Sequence, residues 1–172
     1  MKKCLFVTLL AALAGTGCCR TGNFGGESNA LSPASSAQVE SGVRAFMLTV
    51  AHDVTQDGPS AWRRHFADSP AFFMAVNGSM AFGDSAAATK GIQGAAQAIK
   101  HIELVWGNDL RVDPLTPKLA VVATSWREAQ VNPAGKRAEL SGFFTGVAEE
   151  REGRWQLRDA HWSEAVSPEA AK

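Results

Sequence analysis

The row Trp155, Leu157, Asp159, His161 and Ser163 carries the most chemistry in the chain. Strand side chains alternate with a period of two, so an unbroken strand puts these five on one face. Gln156, Arg158, Ala160, Trp162 and Glu164 then point the other way. A carboxylate two positions from an imidazole can hold it in one tautomer and raise its pKa, which makes His161 a candidate acid-base with Asp159 as its orienter. The plainer alternative is a half-buried histidine satisfied by backbone or by Ser163. Asp53 is a second candidate, beside Val50 and Val54 on an apolar helix stripe. Facing a pocket it would titrate high through desolvation; on the helix flank it would be solvated.

Aromatic residues are the other resource. Trp62, Phe66, Trp106, Trp126, Phe143, Trp155 and Trp162 can pack a core or a dimer face, or line a site for a flat apolar ligand. Trp106 and Trp126 lie on strands expected to face each other, and Trp62 is placed to close a pocket mouth from its helix. With His161 and Ser163, the first four, Phe143 and Trp155 form the expected pocket lining. His52, His65, His101 and His161 show no metal-ligand spacing, so no metal site is expected. Gly91-Ile92-Gln93-Gly94 lacks the Lys-Ser/Thr of a phosphate loop, and there is no Gly-x-Ser-x-Gly elbow. No cofactor is expected.

The elements that must position these residues are legible from periodicity and turn chemistry. Val39, Val43, Phe46, Val50 and Val54 form a helical stripe in a segment beginning near Ser36, and Asp57-Gly58-Pro59-Ser60 ends it. A short helix from Pro59 to Phe66 carries Trp62 and Phe66 on one side. Residues 71–76 and 79–82 flank Asn77-Gly78, a favoured hairpin turn. Asp84 or Ser85 caps a third helix running to about Lys100, weakened by Gly91 and Gly94. Strands are expected over 101–113, 119–131, 136–151 and 154–164, antiparallel neighbours joined by short turns.

The chain has 172 residues, enough for one domain, with 17 basic and 17 acidic side chains. That balance argues against nucleic acid as a partner. All three cysteines, Cys4, Cys18 and Cys19, fall at the N-terminus, so the folded domain must hold without a disulfide. Met1-Lys2-Lys3 and the apolar run Cys4 to Gly15 read as an export signal, too short to span a bilayer as a mature helix. Ala14-Gly15-Thr16-Gly17-Cys18 resembles a bacterial lipobox, with Gly15 where an aliphatic residue is usual. Cys18 would then carry the lipid; a plain cleaved signal and an uncleaved anchor are the alternatives. The expected organisation is a signal over 1–18, a flexible Gly/Ser-rich tether over 19–37, a domain over 38–166 and a disordered tail over 167–172. This places the protein in the bacterial cell envelope, periplasmic and lipid-anchored.

Helix, short helix, hairpin, helix and a strand meander together resemble the nuclear transport factor 2-like superfamily, and within it the SnoaL-like and polyketide-cyclase-like small secreted domains. The residues that carry the resemblance are Asp57-Gly58, Phe66-Ala67-Asp68, Phe72 before Asn77-Gly78, Gly91-Ile92, Gly153-Arg154-Trp155 and His161-Trp162-Ser163. It implies an α+β fold in which a cone-shaped, curved, antiparallel-rich sheet wraps about three N-terminal helices. It also implies an apolar pocket at the cone mouth, and often a homodimer through the sheet. Members of the superfamily include isomerases, cyclases, dehydratases and binding proteins, so fold alone does not select a function. The isomerase chemistry that pairs an aspartate base with a tyrosine is disfavoured here, because the chain has no tyrosine. Three expectations follow: a domain binding a small apolar molecule or a protein partner in its cone; an isomerase, cyclase or dehydratase working through His161 and Asp159; or a dimeric module whose cone is filled by its own side chains.

Overall fold

A computed structural model describes residues 30–165. The expected export signal, Cys18, the first part of the expected tether and the expected C-terminal tail lie outside the described residues. Helix α1 spans Pro33–Asp57 and buries Val39, Val43, Phe46, Met47, Val50 and Val54, the expected stripe with Met47 added. It starts inside the stretch expected to be tether, because Ser32 Oγ accepts the Ser35 N–H at 3.1 Å and Pro33 suits a first turn. Gly58, with φ of 76°, ends it in a backbone conformation that favours glycine. A single 3-10 turn, Pro59–Ala61, leads into the short helix α2, Trp62–His65.

Strands β1, Phe73–Val76, and β2, Ser79–Phe82, form the expected hairpin. Both of its turn residues have positive φ, 49° at Asn77 and 79° at Gly78, the pattern of a type I′ turn. Helix α3, Ser85–Ala98, is capped by the Asp84 carboxylate, which accepts the Ala87 N–H at 2.7 Å. Its Gly91 has a packing reason. A Cβ there would come within 2.1 Å of the Phe82 ring, so glycine lets the hairpin lie against the helix.

Five strands complete the domain: β3, His101–Trp106; β4, Arg111–Thr116; β5, Leu119–Val131; β6, Arg137–Arg151; and β7, Arg154–Glu164. The expected strand over 101–113 is two strands. β3 pairs with the far half of β5 and β4 with its near half, both antiparallel. Between them the Asp109 carboxylate accepts from the Ser125 N–H at 2.9 Å, Ser125 Oγ at 2.8 Å and Thr124 Oγ1 at 3.1 Å. These bonds, led by the Ser125 N–H, hold Asp109 below the usual carboxylate range. A side chain here does the work of a ladder hydrogen bond, so the chain can leave the edge of β5 and rejoin it.

The sheet runs β2-β1-β7-β6-β5-β3, with β4 on the free half of β5. The β1–β7 pairing is parallel and the others antiparallel, so the sheet is mixed, curved and unclosed. Its concave face, with Leu104, Val122, Phe144 and Leu157, closes on the α1 stripe. The fold is therefore α+β, one curved sheet around three helices. No helix among the described residues is long and apolar enough to cross a membrane.

Candidate functional site

The inner face of β7 decides what a pocket can contain. Opposite β6, Val147 pairs with Asp159 and the next residue, Ala148, with Leu157, which leaves Arg158 as an extra residue in a β-bulge. Alternation restarts after it. Leu157 faces inward, and so do Ala160 and Trp162, whereas Asp159, His161 and Ser163 fall on the convex outer face. The expected sharing of a face by these three holds; the face is the outer one. His161 is exposed and lies beside Thr145 of β6 and Ala75 of β1. Ser163 Oγ donates to the Phe143 carbonyl at 3.1 Å. Asp159 is half-buried, and desolvation, opposed by Arg158 and the Val147 N–H, raises its pKa. The imidazole thus opens on the back of the sheet, away from the cone.

Asp53 accepts from His65 Nε2 at 3.0 Å, and Arg64 bridges it (3.2 Å) to Asp57 (2.6 Å). His65 is buried against Phe46, with ring centroids 5.9 Å apart. Burial lowers its pKa more than Asp53 raises it, so the neutral ring donates its Nε2–H to the Asp53 carboxylate. The cluster ties α2 to α1 and does not border the cavity described next.

That cavity opens between the β1–β2 hairpin, α2, α3 and the inner sheet face, with a volume of about 270 Å³. Trp62, Phe66, Trp126 and Trp162 form its aromatic wall, with Met74, Val76, Phe82, Ile92 and Leu140 as aliphatic and aromatic neighbours. Trp162 is the hinge of the wall. It meets Trp62 edge-on at 5.5 Å and Trp126 at 5.2 Å, and its other sides touch Trp106 and Phe144. The structure thus brings Trp62, Phe66 and Trp126 of the expected lining together. It sends the rest elsewhere. Trp106 pairs with Trp126 across β3 and β5 as expected, but its Nε1 donates to the Met47 carbonyl at 2.7 Å and its ring is core. Trp155 lines a separate groove beside Gly42, Lys118 and Glu150. Phe143 is on the outer face, 44% exposed.

Polar groups enter the cavity from one side. Glu128 and Gln130 follow Trp126 on the inner face of β5, and Gln130 Nε2 donates to the Glu128 carboxylate. Glu164 stands exposed at the rim, its N–H fixed by Asn77 Oδ1 at 2.8 Å. Burial raises the Glu128 pKa and the Glu164 charge adds to that, while the Gln130 bond opposes it. Trp126 Nε1 is buried without a hydrogen-bond partner among the described residues. Sequence reasoning missed Glu128, Gln130, Trp162 and Glu164. The period-two alternation of Val122, Thr124, Trp126, Glu128 and Gln130 was a usable signal for the first two. For Trp162 and Glu164 the bulge removed it.

Among the described residues no group of three His, Cys, Asp or Glu is placed to hold a metal ion. No family profile matches the chain, and no curated protein does. Solved structures do. A nuclear transport factor 2-like superfamily protein from Salmonella enterica serovar Typhimurium superposes with a TM-score of 0.66 at 12% identity, over 77% of this chain and 94% of that one. A candidate scytalone dehydratase from Novosphingobium aromaticivorans gives 0.67 at 11%, over 77% and 88%. A hexachlorocyclohexane dehydrochlorinase from Novosphingobium barchaimii gives 0.61 at 10%, over 78% and 92%. At such identities the likeness is one of architecture, and with the mixed curved sheet, three helices and mouth cavity it establishes that this chain has the nuclear transport factor 2-like fold.

Proposed function

We propose that the cavity binds a small, largely apolar, flat molecule. The observation that carries this reading is an aromatic-walled cavity that the protein's own side chains leave open. The volume lies just under the roughly 300–1,000 Å³ of typical ligand pockets, so the occupant is small. Native mass spectrometry of the full chain purified from its own cells tests this. A retained molecule of defined mass is the expected result; a protein with no adduct, and no ligand response in tryptophan fluorescence, would refute it.

A second reading is supported by Glu128. A carboxyl group whose pKa is raised by burial beside another acid is suited to proton transfer, and the fold is shared with a candidate dehydratase and a dehydrochlorinase. In an isomerase, cyclase or dehydratase built on this chain, Glu128 rather than His161 would carry the proton. Glu128→Gln should then abolish turnover while binding persists.

We also propose that the domain is exported and lipid-anchored through Cys18, which metabolic lipid labelling of Cys18→Ala against the parent chain would test. Homodimerisation through the outer sheet face is the remaining proposal. Phe73, Val105 and Phe143 are exposed there, so Phe143→Glu should convert a dimer to a monomer in light scattering.

A further inference from the structure

The cavity has an unbalanced charge. Two acids, Glu128 and Glu164, border it, and among the described residues its lining contains no Lys, Arg or His. Arg127 and Arg137 share a neighbouring groove with Glu128, along with Glu103 and Glu139, and Arg137 is engaged by Glu139 at 3.1 Å. The hydrogen-bond partner of Glu128 inside the cavity is therefore a neighbouring amide, Gln130, and not a cation. The acids share their lining with the rings of Trp62, Phe66, Phe82, Trp126 and Trp162.

Aromatic faces attract cations through their quadrupole, most strongly where water is excluded, and rings grouped around a pocket select ammonium ions for this reason. Carboxylates deepen the same preference by Coulomb attraction. Resting on the reading of the cavity as a ligand site, we infer that its occupant is a hydrophobic ammonium ion, a protonated or quaternary amine on a small apolar body, held by the aromatic wall and by Glu128 and Glu164.

The test uses two probes of one shape, benzyltrimethylammonium and its uncharged carbon analogue neopentylbenzene, titrated into the full chain at pH 7 with the cavity tryptophans as reporters. The cation should bind about tenfold or more tighter than the neutral probe. Glu164→Gln, at an exposed position whose replacement leaves the core intact, should shrink that preference several-fold, and Glu128→Gln should shrink it further. Equal binding of the two probes, or a preference untouched by both variants, overturns the inference while the ligand-site reading stands. If neither probe binds and the purified chain carries no adduct, both fall.

Discussion

The bulge at Arg158 makes a prediction that simple strand alternation does not. Val147 pairs with Asp159 and Ala148 with Leu157, so the β6 partners are consecutive while the β7 residues skip one. Deleting Arg158 would therefore join two correct registers into one regular ladder. Leu157, Ala160 and Trp162 would still face inward, and an exposed side chain is all that is lost. The cost should be about 1 kcal/mol, from the lost local twist. Deleting Ala160 removes the same length of chain but puts Asp159 opposite Gly146, at a site where Ala160 is 1% exposed. Burying an unpaired carboxylate there costs several kcal/mol, a large part of the roughly 5–15 kcal/mol that stabilises a domain. With a urea m-value of about 2 kcal/mol/M, a difference of about 4 kcal/mol separates the two midpoints by about 2 M. Urea unfolding followed by tryptophan fluorescence measures this directly. If deleting Arg158 unfolds the chain as thoroughly as deleting Ala160, the account of β7 given above is wrong.

Four other outcomes are expected. Trp162→Ala removes the ring shared by Trp62, Trp106, Trp126 and Phe144, and should cost about 3–5 kcal/mol in the same urea assay. His65 is held neutral when folded, so the unfolded chain binds the extra proton; stability should be full above about pH 6.5 and be lost as the pH falls below it, and His65→Gln should flatten that slope in thermal melts. Glu128 works in the opposite sense: its folded pKa is raised, the folded chain holds the extra proton, and stability should decline as the pH rises from about 4.3 towards the raised value. Glu128→Gln should remove that decline, leaving the one that Asp159 contributes on the outer face. Finally, His161→Ala should leave the Kd of any cavity ligand unchanged, because the side chain opens on the other side of the sheet; a large loss of affinity by calorimetry would contradict this placement.

What the amino-acid sequence determined by itself was local. The α1 stripe, the Gly58 stop, the Asn77-Gly78 hairpin and the Asp84 cap depend on spacing or on the conformational reach of a few neighbouring residues, and each lies in the structure where it was expected. The order of those elements sufficed to reach the fold. The faces of the long strands were another matter, since facing depends on register with a partner distant in the chain. Arg158 is an ordinary strand residue in composition, and nothing near it announces an extra position. Only its pairing with β6 does, and that one residue turns His161 outward and Trp162 inward. The same holds for Asp109, whose bonds to Ser125 and Thr124 divide one expected strand into two, and for Glu128, which becomes a perturbed acid only when the hairpin, α3 and the end of β7 close around it. Tertiary structure decided the site because a cavity is made of residues that share a space and not a stretch of chain.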